Sequence, residues 1–239
     1  MKNAIVIGAS SGIGRALVKT LASNGYHLGI TARRLPLLES LKAELPAGAL
    51  VKQMDVTLVD EAQRILSDMI NTMNGEVDVI VFCSGTGELN KKLDWEVERR
   101  IIDTNVIGFC AIANTATKYF IGRKTGHFVG ISSIAAIRGG RAAPGYNASK
   151  AFISSYLQGL RQKVAREKLP ITVTDIKPGF VDTAMAQGIG MFWVASPQKA
   201  ARQIFNAIRK KKSHAYITRR WRLIAWLLKL MPECLYNRI

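Results

Sequence analysis

Paired cysteines, a hydrophobic run of membrane length and a balanced complement of acids are all missing from this 239-residue chain. The three cysteines, Cys83, Cys110 and Cys234, are odd in number and far apart. They offer neither a disulfide framework nor a zinc spacing, which points to a reducing compartment, the cytoplasm. The apolar stretch LIAWLL, near the C-terminus, falls far short of the ~20 residues that a spanning helix needs. One lysine precedes the first strand-like run, so no secretory leader is predicted. No internal repeat or linker interrupts the chain, and 48% hydrophobic residues suit a single folded domain over 1–239.

Acids are scarcest at the end. From Lys199 to Ile239 eleven Lys or Arg stand against the single acid Glu233, and this segment carries most of a formal net charge of +17. A surface so biased suits an anionic partner, whether membrane or nucleic acid.

What is present is an alternation. Strand-like runs read NAIVIG, YHLGITA, ALVKQMDV, VDVIVFCSG, GHFVGISS and ITVTDIKPG, and a seventh, HAYIT, opens the basic extension at 214–239. Helical periodicity fills the gaps, over Arg15 to Asn24, Leu35 to Leu45, Trp95 to Gly122, Tyr146 to Lys168 and Pro197 to Lys212. Runs that are almost wholly apolar belong to strands covered on both faces. The pattern predicts an α/β fold: a doubly wound, Rossmann-type parallel sheet of about seven strands, with ligands at the C-terminal strand ends.

The first of those ends is glycine-rich, with Gly8, Gly12 and Gly14 between strand and helix. Helix N-termini present free N–H groups and partial positive charge, and glycine lets a phosphate approach closely, so the loop is a candidate anion cradle. The spacing G-x-x-x-G-x-G differs from the common dinucleotide fingerprint.

Tyr146 and Lys150 lie four apart on a predicted helix, on one face. A nearby ammonium lowers a phenol's pKa and makes proton exchange with a carbonyl or alcohol feasible. Ser133, thirteen residues earlier at the end of the fifth strand, could hold the substrate oxygen beside the tyrosine.

Taken in order, the Gly8/Gly12/Gly14 loop, Asp55-Val56, Cys83-Ser84-Gly85, Asn105, Ser133, Tyr146-x-x-x-Lys150, and Pro178-Gly179 with Thr183 resemble the short-chain dehydrogenase/reductase family over about residues 3–183. The resemblance implies Tyr146 as general acid/base and Ser133 polarising the carbonyl. Lys150 would lower the tyrosine pKa and hold the nicotinamide ribose, while Asn105 would position a water in a proton relay. It also implies Asp55 and Val56 at the adenine and Thr183 at the carboxamide. The remaining cofactor cradle would comprise Ser10, Ser11, Ile13, Ser84, Gly85, Pro178, Gly179 and Val181. Two positions depart from the family pattern. Ile7 stands where Thr is usual, and Cys83-Ser84-Gly85 lacks the usual Asn and Ala.

NAD sites carry an acid at the end of the second strand for the ribose 2′-OH. Here Ala32 occupies that position and Arg33 and Arg34 follow, with Arg15 just after the glycine loop. Guanidinium in place of carboxylate favours a 2′-phosphate, hence NADP(H) over NAD(H).

Met185, Met191, Phe192 and Trp193 could close an apolar substrate site, giving an apolar ketone, aldehyde or alcohol as substrate, or could be ordinary core. The C-terminal arginines, interleaved with Trp221 and Trp226, suit a helix lying on an anionic membrane, or one packed on a subunit neighbour or beside the substrate entrance. Nucleic acid is disfavoured, since no recognised binding module accompanies the charge. The family resemblance implies a homo-oligomer, dimer or tetramer. Two functions fit these features: an NADP-dependent oxidoreductase, or a catalytically idle NADP(H)-binding or membrane-associated scaffold.

Overall fold

The computed structural model describes residues 2–185 and 191–238. Seven strands form one parallel sheet in the order β3-β2-β1-β4-β5-β6-β7. They are β1 (Lys2–Ile7), β2 (Tyr26–Ala32), β3 (Leu50–Gln53), β4 (Val79–Phe82), β5 (Gly126–Ile131), β6 (Ile171–Pro178) and β7 (His214–Ile217). The strands are buried because alternate side chains feed two separate cores. Ala4 and Val6 of β1 face one, with helices α1 (Gly12–Ala22), α2 (Leu35–Ala43) and α7 (Pro197–Arg209). Ile5 and Ile7 face the other, with α3 (Val59–Thr72), α5 (Phe109–Arg123) and α6 (Pro144–Arg166). Such two-sided burial is what makes the central β4 apolar throughout, whereas β3 at the sheet edge ends in exposed Lys52 and Gln53.

The strand order reverses between β1 and β4, and the crevice beyond their C-terminal ends is where this architecture holds ligands. The helix expected over Trp95 to Gly122 is interrupted. It runs as α4 (Trp95–Ile102), a π-helical stretch Asp103–Gly108 and then α5. A side chain at Gly108 would come within 2.7 Å of the Val56 carbonyl, so glycine there lets this helix press against the chain leaving β3. The basic end forms β7, α8 (Trp221–Leu230) and α9 (Glu233–Tyr236).

Candidate active site

The glycine loop is shaped by collisions that side chains would cause. Gly8 has φ +88°, and a Cβ there would sit 2.5 Å from the Ser84 nitrogen. A Cβ on Gly14 would overlap the Gly8 carbonyl. The chain can therefore turn from β1 into α1 only with hydrogen at both positions. Gly8 and Ala9 donate their N–H groups to the Thr31 carbonyl at 2.7 and 3.1 Å, which ties the loop to β2.

The loop floors a cleft of about 900 Å³ that runs across the switch point. All the expected site residues except Arg15 and Asn105 line it. Arg34 reaches over the loop and donates to Ser10 Oγ at 2.9 Å and Ser11 Oγ at 2.8 Å. Arg33 is exposed at the same end, its carbonyl accepting from Gln53 Nε2 at 2.9 Å. Neither arginine has a carboxylate at ion-pair distance among the described residues. Asp55 holds a local turn by accepting from Thr57 N and Oγ1 at 3.0 and 2.8 Å.

Arg15 is turned elsewhere. Its guanidinium pairs with Glu44, which also pairs with Lys19. Glu44 sits at the C-terminal end of α2, and the packing of that helix beside α1 brings the two charges together. Nothing in the linear order marks that proximity.

Asn105 is fully buried in the π-helical stretch. Its Oδ1 accepts from Thr86 N at 2.9 Å, and its Nδ2 donates to the Thr86 carbonyl at 2.7 Å and to Ser149 Oγ at 3.0 Å. Both amide hydrogens are thus engaged in fastening the loop after β4 to α6.

Ser133, Tyr146 and Lys150 do converge. Ser133 follows β5 and caps a short 3₁₀ turn, its Oγ accepting from Ala135 N at 3.1 Å. Its Oγ donates to the Pro178 carbonyl at 3.5 Å, and its hydroxyl acts on the Tyr146 phenol to favour the ionised form. Lys150 is buried one helical turn on, with Nζ donating to the Ile131 carbonyl at 3.2 Å and lying 5.7 Å from the Tyr146 ring centre. Two glycines make room. A Cβ on Gly85 would lie 3.2 Å from Lys150 Nζ, and one on Gly87 would lie 2.7 Å from the Tyr146 ring. No local sequence pattern marks Gly87, because its constraint is a ring far along the chain.

Burial governs the titration here. It pulls the Lys150 ammonium down to about 8, opposed by the charge of Asp175. Cys83, in the same cleft, is pushed up to about 12 by burial, so it stays a neutral thiol while Lys150 titrates. Burial also raises the Tyr146 phenol, against the Ser133 hydroxyl that lowers it. The lysine effect expected from the Tyr-x-x-x-Lys spacing therefore does not set the net direction. Desolvation of the phenol sets it.

The substrate side divides the four apolar candidates. Met185 and Met191 line the cleft. Phe192 stacks on Trp221 at 5.0 Å between ring centres, and Trp193 meets the same indole edge-on at 5.9 Å. Trp221 packs so closely beneath Gly179 that a side chain there would overlap it. Residues 186–190 of the expected substrate segment lie outside the described residues.

The cleft fits a dinucleotide. A cradle in which Cβ atoms would collide, two arginines without acid partners at one end and a Ser–Tyr–Lys group at the other suit a phosphate-bearing, elongated ligand.

Comparison with known proteins agrees. The family model described as short chain dehydrogenase matches residues 2–191. An uncharacterized oxidoreductase of Myxococcus xanthus is 38% identical over 190 residues, covering 77% of this chain and 74% of the relative. The glycine betaine reductase ATRR of Emericella nidulans is 33% identical over 232 residues, covering 87% of this chain but 18% of that much longer protein. Among solved structures, a Sphingobium yanoikuyae short-chain dehydrogenase in complex with NADPH has a TM-score of 0.82 at 19% identity, covering 98% of this chain and 97% of its own. A Burkholderia phymatum counterpart in complex with NAD has a TM-score of 0.83 at 20% identity, covering 95% and 92%. These last two likenesses speak for the fold, and they differ in cofactor.

Proposed function

The chain belongs to the short chain dehydrogenase family, and from that premise we propose that it is an NADP(H)-dependent reductase of ketones or aldehydes, able to run in reverse on alcohols. The observation that carries this reading is the convergence of Ser133 and Tyr146 beside buried Lys150 in one cleft. When bound, the nicotinamide supplies or accepts the hydride.

The chain's own residues handle the proton. In reduction Ser133 donates a hydrogen bond to the carbonyl oxygen, and Tyr146 gives that oxygen its phenolic proton; oxidation reverses both steps. Lys150, when charged, stabilises the phenolate left behind and reaches the nicotinamide ribose. Asn105 fixes the loop that carries Gly85 and Gly87, where both its side-chain amide hydrogens are engaged. Arg33 and Arg34 take the 2′-phosphate, supported by Ala32 in place of an acid. Met185, Met191 and Phe180 give the substrate end an apolar wall, favouring an apolar carbonyl. The enzyme would work in the cytoplasm as a dimer or tetramer.

The test is NADPH oxidation against a panel of apolar ketones and aldehydes, with NADH in parallel. Turnover should be faster with NADPH and should fall by about a hundredfold or more in Tyr146→Phe, with the melting temperature retained. Tight NADPH binding without turnover of any carbonyl would favour the idle scaffold. Better use of NADH would refute the role of the arginines.

A further inference from the structure

The face formed by β7 and α8 is not used by the proposed chemistry. Helix α8 turns Trp221 and Ala225 inward, where both are buried. On its other side Leu223, Trp226, Leu227 and Leu230 are 68%, 65%, 52% and 62% exposed. Their spacing, i, i+3, i+4 and i+7, makes one continuous stripe roughly 100° wide. The helix is held in place. Arg138 donates to the carbonyls of Leu228 (2.9 Å) and Met231 near its C-terminal end, and Tyr236 donates to the Gly139 carbonyl.

Beside the stripe lies a second cleft of about 660 Å³. Arg209, Lys210, Lys212, Arg219 and Arg222 line it, with His214. None of these five cations has a carboxylate at ion-pair distance among the described residues. Arg222 belongs to both features: it lines the cleft and, with Lys229, flanks the stripe on the helix.

We propose that this face docks on an anionic phospholipid bilayer, with the α8 stripe in the headgroup–acyl boundary and the cationic cleft over lipid phosphates. Exposed Leu and Trp beside unpaired Arg and Lys are complementary to such a surface in both respects. A second copy of the chain is a poorer occupant, because symmetric pairing would set the same cations against each other. A nucleic acid matches the charge but leaves the apolar stripe in water. The proposal stands independently of the reductase reading.

The test is co-flotation of the full chain with vesicles of phosphatidylcholine alone, and with about a third phosphatidylglycerol. The protein should float with the anionic vesicles only, less at high salt, with a blue shift of tryptophan emission. Replacing the exposed stripe (Leu223→Gln, Trp226→Gln and Leu227→Gln together) should abolish flotation. Arg219→Gln with Arg222→Gln should weaken it roughly fivefold per cation. Unchanged melting and NADPH binding would show that both variants are folded. No flotation with anionic vesicles overturns the proposal. So does a dimer that the stripe variant dissociates, or oligonucleotide binding that ignores that variant while vesicles are not bound.

Discussion

Replacing Lys150 by Met should make the protein more stable relative to wild type at neutral pH than at alkaline pH, while abolishing turnover. The lysine is buried, and its ammonium titrates at about 8 instead of 10.5. At ~1.4 kcal/mol per unit, keeping it charged in the folded state costs about 3 kcal/mol at pH 7. Between those two pH values the unfolded chain binds more protons than the folded one, so wild-type stability gains this component as pH rises. The penalty is complete below pH 8 and gone above 10.5. Methionine is close in length and has no charge to bury. It loses the bond to the Ile131 carbonyl, which offsets about 1–3 kcal/mol of the gain at every pH. The discriminating quantity is therefore the pH dependence of the difference. Urea unfolding of both proteins from about pH 7 to 10.5 should show it shifting by about 3 kcal/mol in favour of wild type. A difference that stays flat across this range would refute the claim that burial holds the ammonium down.

Two further outcomes follow from the cleft. Arg33→Ala should raise the NADPH dissociation constant by about tenfold or more and leave that of NADH nearly unchanged, by fluorescence titration, since only the 2′-phosphate distinguishes them. Gly87→Ala should cut kcat sharply while leaving NADPH affinity within a few fold, because the new methyl meets the Tyr146 ring at 2.7 Å; equal activity would show that the ring position is not critical.

How much of this was legible beforehand follows from the range of the forces involved. Strands buried on both faces are apolar at every position, which marks β4 and the Ala4–Ile7 part of β1. The Tyr146–Lys150 pair is legible because one helical turn sets it, and the glycine loop because Gly8 and Gly12 take positive φ and Gly14 abuts the Gly8 carbonyl, although Gly8 also abuts distant Ser84. The rest depends on neighbours distant in the chain. The place of Arg15 just after the loop suggests the cofactor, but the fold brings Glu44 to it. Gly87 and Gly108 are constrained by Tyr146 and by Val56, and no local pattern marks them. The π-helical turn that holds Asn105 interrupts a stretch whose periodicity reads as one continuous helix. The direction of the Tyr146 shift needed the depth of its burial, which spacing does not convey.

The central claim is hydride transfer governed by Tyr146, and isotope transfer tests it most directly. With NADPH deuterated at the nicotinamide C4 and the panel of apolar carbonyls, the account predicts deuterium on the alcohol carbon of the product, read by mass spectrometry, and about a hundredfold less, or lower still, from Tyr146→Phe. Tight NADPH binding with no label in any product would contradict it.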